Sequence, residues 1–156
     1  MVAESSIVVG EYAMIAKKMI PKHTIIFLYQ DSATEKRTRT SIQVAIDKHV
    51  EPGDFGAFAN HSCEPNCQII ANYDGLTNVA TVLMLTLVDV KIGDELTFDY
   101  ATTETEVTEE LHNVECLCKS THCRGKITGF RELPLSEKMR LLGEDLTANY
   151  MQIVDR

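Results

Sequence analysis

The stretch Phe58-Ala59-Asn60-His61-Ser62-Cys63-Glu64-Pro65-Asn66-Cys67 decides how the chain is read. Asn, His, Ser, Pro and a second Asn crowded together favour a tight loop rich in side-chain hydrogen bonds over a strand interior. By residue type alone, His61 fits a metal ligand, a general base or a buried imidazole with its hydrogen bonds met. A nucleophilic Cys63–His61 pair is disfavoured, because residues two apart in one loop seldom present thiol and base to each other. The chain has no G-x-S-x-G elbow, H-E-x-x-H helix, P-loop or G-x-G-x-x-G opening a helix. Hydrolase and dinucleotide chemistry therefore lack support.

Working outward, the second cysteine cluster is Cys116-Leu117-Cys118-Lys119-Ser120-Thr121-His122-Cys123-Arg124-Gly125. A Cys-x-Cys disulfide is strained by the geometry of the bond, so these thiols do not pair readily among themselves. Three thiolates on a tetrahedral zinc need a fourth ligand. Cys63, Cys67, His112 and His122 are the candidates, and a distant cysteine suits better than His122, which would have to fold back from beside Cys123. Three free thiols in a loop is the competing reading. A four-cysteine site has no open position, so its zinc folds a loop and does not activate water.

Asp74-Gly75 separates the apolar runs 68–73 and 79–87, which predicts a hairpin. Short strands are also expected at 7–9, 25–29 and 95–100. Residues 101–115 carry five glutamates and read as a solvated loop or frayed helix. Pro134, Ser136 and Gly143 bracket a helix on which Leu135, Met139 and Leu142 read as core contacts. Leu146, Tyr150 and Ile153 predict a second short helix.

At 156 residues the chain has the length of one domain, and 44% apolar with 24% charged residues is an ordinary globular balance. Its net charge of −8 disfavours direct binding to nucleic acid or an anionic membrane, and suits a basic partner. Residues 1–30 carry no secretory leader, and the most apolar stretch, 79–90, is too short to span a bilayer. A soluble intracellular protein, cytoplasmic or nuclear, with reduced thiols is the expectation.

Asn60 to Cys67, Gly93-Asp94-Glu95-Leu96-Thr97-Phe98-Asp99-Tyr100 and Cys116-x-Cys118-x4-Cys123-Arg124-Gly125 occur in that order. Together they resemble a SET domain followed by a post-SET segment, over roughly residues 5–130. SET domains are S-adenosylmethionine-dependent protein lysine methyltransferases. The resemblance implies a mainly β fold of small sheets with a C-terminal segment threaded through a loop, a rare departure from unknotted topology. It also implies a post-SET zinc loop, to which the residue pattern adds short C-terminal helices. The divisions expected are a core at 1–100, a connector and zinc segment at 101–130 and a helical tail at 131–156.

Carried over by position, Asn60 and His61 match the pair at the cofactor's adenine region. Glu11-Tyr12-Ala13 stands where the family places a cofactor-contacting G-x-G, and His23 stands at a usual turn glycine. Tyr100 matches the catalytic tyrosine, and Phe98 the aromatic of the lysine channel that accompanies di- or trimethylation. Cys63 matches the fourth zinc ligand with Cys116, Cys118 and Cys123, leaving Cys67 a free thiol. A phenol near pKa 10 is mostly protonated at neutral pH, so Tyr100 orients the amine and is not assigned as a base. The expected partner is a lysine-containing basic peptide or protein, a histone by family analogy. The altered glycine motif keeps a second reading open: a SET-like peptide- or cofactor-binding module with little catalysis.

Overall fold

The computed structural model describes residues 2–4, 12–144, 146–148, 150 and 151. Four small sheets form the framework. Strand β1 (Val2–Glu4) lies antiparallel to β2 (Tyr12–Met14). The largest sheet is antiparallel, built from β3 (Ile25–Ser32), then β7 (Cys67–Asp74) and β8 (Val79–Thr86), in the order β3-β8-β7. A hairpin joins β4 (Ile42–Ala45) to β5 (Lys48–Val50), and a single helical turn, α1 (Gly53–Gly56), follows it. The fourth sheet is minimal: β6 (Asn60–His61) runs parallel to β9 (Thr97–Phe98). Helix α2 (Leu135–Gly143) follows, and the described chain runs on to Met151.

The expected hairpin forms within a residue of its predicted limits, because alternate side chains bury one face. Ala80, Val82, Met84 and Thr86 are fully buried from β8, with Cys67, Ile69 and Ala71 beside them on β7. Asp74 caps the turn by accepting from the Leu76 N–H and the Thr77 hydroxyl. The left-handed residue there is Asn78, at φ 58, and not Gly75. His23 adopts φ 62, the conformation that favours glycine at that turn.

Several expectations are corrected. The 95–100 strand shrinks to Thr97–Phe98, with Glu95 in an isolated bridge to Ile15 and Tyr100 opening a short 3-10 turn. The 101–115 connector is not a solvated loop in its first half: Ala101, Thr102, Thr103, Thr105 and Val107 are buried. Gln43 explains this, since its Oε1 accepts from both the N–H and the hydroxyl of Thr105. Returning chain adds two bonds, from the Phe130 N–H to the Glu104 carbonyl and from the Arg131 N–H to the Thr105 carbonyl. Gly129 is required there, because a Cβ would stand 2.5 Å from the Glu106 backbone.

Helix α2 forms as predicted and Leu142 packs against the core, but two of the three expected contacts face outward. Leu141 is buried, whereas Leu135 and Met139 are 72% and 63% exposed. At 100° per residue Met139 and Leu141 lie on roughly opposite sides, so only one can face the core. Of the second predicted helix, residues 146–148 are not helical, whereas Met151 is. The 7–9 strand, Glu11 and Ile153 lie outside the described residues. Among the described residues no helix is long and apolar enough to cross a membrane.

Candidate active site

The β6–β9 pairing brings the 60–67 loop against the 95–100 segment. Asn66 extends the two-residue ladder with its side chain: Nδ2 donates to the Glu95 carbonyl at 2.8 Å, and Oδ1 accepts from the Thr97 N–H at 2.9 Å. The Ser62 N–H donates to the Phe98 carbonyl at 3.1 Å. Asn60 reaches the other way, with Nδ2 donating to the Tyr12 carbonyl at 3.0 Å and to Glu95 Oε1 at 2.7 Å. One asparagine thus ties the loop to β9's lead-in, and the other ties it to β2.

His61 is buried between these segments. The Tyr100 N–H donates to its Nδ1 at 3.2 Å, so Nε2 carries the ring proton and faces Cys63 Sγ at 3.4 Å. Burial pushes the imidazole down to about 4, against the pull of Asp99. His61 is therefore neutral, and its 3.6 Å approach to Asp99 is not an ion pair.

The four thiols of Cys63, Cys116, Cys118 and Cys123 lie within 4.8 Å of one another. A zinc tetrahedron with bonds of about 2.3 Å has sulfur–sulfur edges of about 3.8 Å, and Cys63 Sγ lies 3.7 Å from Cys116 Sγ. The Arg124 and Gly125 N–H groups point at Cys63 and Cys123 sulfurs, each at 3.4 Å, as donors that favour thiolates. Burial pushes the Cys63 thiol up to about 11, so a cation is what makes four clustered thiolates affordable. The donor set and spacing fit zinc. Cys67 sits apart, fully buried on β7, with burial pushing its thiol up to about 12.

Arg124 clamps this loop to the centre of the fold. Its Nη1 and Nη2 donate to both oxygens of Asp99 at 2.7 and 2.6 Å. Asp99, between Phe98 and Tyr100, is 1% exposed and also accepts from the Ala101 N–H. Breaking a buried pair from one side costs about 3–5 kcal/mol, because the remaining charge is stranded. We expect Asp99→Ala to lose that much in urea denaturation, and Asp99→Ala with Arg124→Met to recover part of it.

Tyr12, Asn60, His61, Phe98 and Tyr100 line one cavity of about 720 Å³, which Val107, Leu111, Leu117 and Cys118 also line. The Phe98 and Tyr100 rings pack 4.9 Å apart, and the Tyr100 hydroxyl donates to the Ala59 carbonyl at 3.1 Å. Tyr12 packs edge-on against Phe58 at 5.8 Å. Ala13 is fully buried in β2 outside the left-handed region, so it sits without strain where a glycine was expected.

Sequence reading missed Asn66, Asp99, Arg124 and Glu104. Glu104 lines the same cavity, and burial pushes its carboxyl up to about 7. The unfolded chain releases that proton near 4.5, so between these values the folded state binds more protons and stability falls as pH rises. Glu104→Gln escapes this loss, and we expect it to gain on wild type by on the order of 2–3 kcal/mol across the window. Denaturant midpoints at the two ends check it.

A family model described as SET domain matches residues 11–101, more than half of the chain. The chain belongs to the SET domain family. Relatives include the histone-lysine N-methyltransferase, H3 lysine-4 specific, of Schizosaccharomyces pombe, 36% identical over 87 residues, covering 56% of this chain and 9% of that protein. The H3 lysine-36 specific histone-lysine N-methyltransferase of Cryptococcus neoformans is 29% identical over 137 residues, covering 76% of this chain and 16% of that protein. The SET domain chain spans from 4% to 48% of the length of the first curated relatives it matches. The fold matches the crystal structure of KRYPTONITE in complex with mCHH DNA, H3(1-15) peptide and SAH, with a TM-score of 0.63 at 21% identity over 81% of this chain and 29% of that one.

Proposed function

We propose that this SET domain is an S-adenosylmethionine-dependent protein lysine N-methyltransferase acting on a basic, histone-like peptide. The observation that carries the reading is the convergence of Asn60, His61, Phe98 and Tyr100 on one cavity walled by the cysteine loop. Its volume of about 720 Å³ falls in the range of small-molecule sites, about 300–1,000 Å³. Tyr12, Asn60 and His61 line the cavity and would hold the cofactor; Ala13, assigned with them, is fully buried and does not line it, and Glu11 lies outside the described residues. When bound, S-adenosylmethionine supplies an electrophilic methyl group on a sulfonium.

The rest falls to the chain. Methyl transfer is an in-line displacement, so alignment is the main demand on the protein. A free lysine has a pKa of about 10.4 and must arrive neutral, which desolvation beside the Phe98 and Tyr100 rings favours. The Tyr100 hydroxyl donates to the Ala59 carbonyl, and its oxygen would accept from the amine and set its direction. Phe98 brings no hydroxyl into the channel, which supports methylation beyond the first step. Zinc on Cys63, Cys116, Cys118 and Cys123 would fix the wall bearing Leu117 and take no part in the reaction. The division into core, zinc segment and tail at residues 100 and 130 is kept in this reading, with the Arg124–Asp99 ion pair tying the zinc segment to the core.

Calorimetric titration with S-adenosylmethionine tests the reading. One saturable site per chain with a dissociation constant below about 1 mM is expected, and absence of binding at that concentration overturns it.

A further inference from the structure

Glu104 is left without a task in that mechanism. Its N–H donates to the Tyr100 carbonyl at 2.8 Å, just past the short 3-10 turn Tyr100–Thr102. Both line the active-site cavity. Oε1 is held by the Gln43 N–H at 2.8 Å and the Thr103 hydroxyl at 3.2 Å, while Oε2 accepts nothing from the described residues. The carboxylate is thus rigidly mounted with one oxygen open to a ligand.

We propose that Glu104 is the specificity residue that binds a cationic side chain of the peptide, a lysine or arginine beside the methylated lysine. The proposal rests on the methyltransferase reading above. Charge favours it: Asp94, Glu95 and Glu115 line the same cavity, against one guanidinium, Arg39. An ionised carboxylate in a desolvated site is costly unless a counter-charge meets it. The charged and titratable groups facing Glu104 are Arg37 and Tyr150. Arg37 donates to the Glu106 carbonyl, and the Tyr150 hydroxyl donates to the Thr103 carbonyl. Neither closes the open oxygen. A bound ammonium or guanidinium does so, and holds Glu104 ionised at neutral pH.

Two peptides test this, identical except that the target lysine is flanked by arginine in one and glutamine in the other. In the wild type, KM for the arginine peptide is lower by about tenfold to a hundredfold, the range for a hydrogen bond to a charged group. Glu104→Gln keeps an acceptor for Gln43 but lacks the charge, and brings the two KM values together; Glu104→Asp retains part of the difference. On the wild type the preference shrinks from about pH 8 to about pH 6 as Glu104 takes up its proton. That measurement decides the matter should Glu104→Gln not fold. An arginine preference that persists in Glu104→Gln, or a tenfold weaker S-adenosylmethionine affinity in that variant, overturns the proposal. If the wild type methylates neither peptide, the methyltransferase reading fails by itself. Fluorescence anisotropy of the same two labelled peptides then decides the role of Glu104.

Discussion

Cys63→Ser releases the zinc and with it the activity, whereas Cys67→Ala keeps both. Metal analysis of the purified wild type is expected to give one zinc per chain. The two cysteines are only four positions apart, yet only Cys63 lies within 4.8 Å of the other three thiols. Cys67 points into the β7 face of the core. A closed four-thiolate site contributes folding free energy directly, about 10–16 kcal/mol in zinc-finger peptides. Here that energy organises the 116–125 loop, whose Leu117 and Cys118 wall the cavity. Misplacing a site by about 1 Å can cost a hundredfold in rate, so Cys63→Ser falls at least that far. Zinc uptake displaces the protons that burial holds on Cys63, and so weakens as pH falls. Retention of stoichiometric zinc by Cys63→Ser, or its loss from Cys67→Ala, contradicts this account of the cluster.

Tyr100→Phe is expected to reduce kcat by about a hundredfold to a thousandfold, the usual cost of deleting one aligned polar group at a reacting centre. The ring stays, and with it the 4.9 Å packing on Phe98 and the 5.2 Å packing on His61. The hydroxyl goes, and with it the oxygen that directs the amine. S-adenosylmethionine affinity holds, because Tyr100 acts on the nucleophile. Rapid-quench turnover with a parallel binding titration separates the two quantities. Unchanged turnover in Tyr100→Phe removes Tyr100 from the reaction.

What could be read in the sequence was local or carried by residue type. The 67–86 hairpin follows from alternation and the Asp74 turn. The convergence of Cys63 on Cys116, Cys118 and Cys123 follows from the thiol spacing once the family resemblance supplies the distant partner. Helix α2 was legible as a helix, but periodicity defines faces without saying which is buried, so Leu135 and Met139 were placed inward. The 101–115 connector misleads by composition: its threonines and Glu104 are polar, and only Gln43, some 62 residues away, shows that their hydrogen bonds are met indoors. Asn66, Asp99 and Arg124 act across 25 to 31 residues of chain. A single sequence holds no signal for pairings at that range.

The central claim is that Asn60, His61, Phe98 and Tyr100 form a methyl-transfer site. It is tested most directly by mass spectrometry of a basic, lysine-containing histone H3 peptide incubated with the zinc-loaded protein and S-adenosylmethionine. The expected result is a lysine carrying added methyl groups, formed by the wild type and suppressed in Tyr100→Phe. Unmodified lysines throughout a panel of basic peptides, with zinc and cofactor both bound, contradict it.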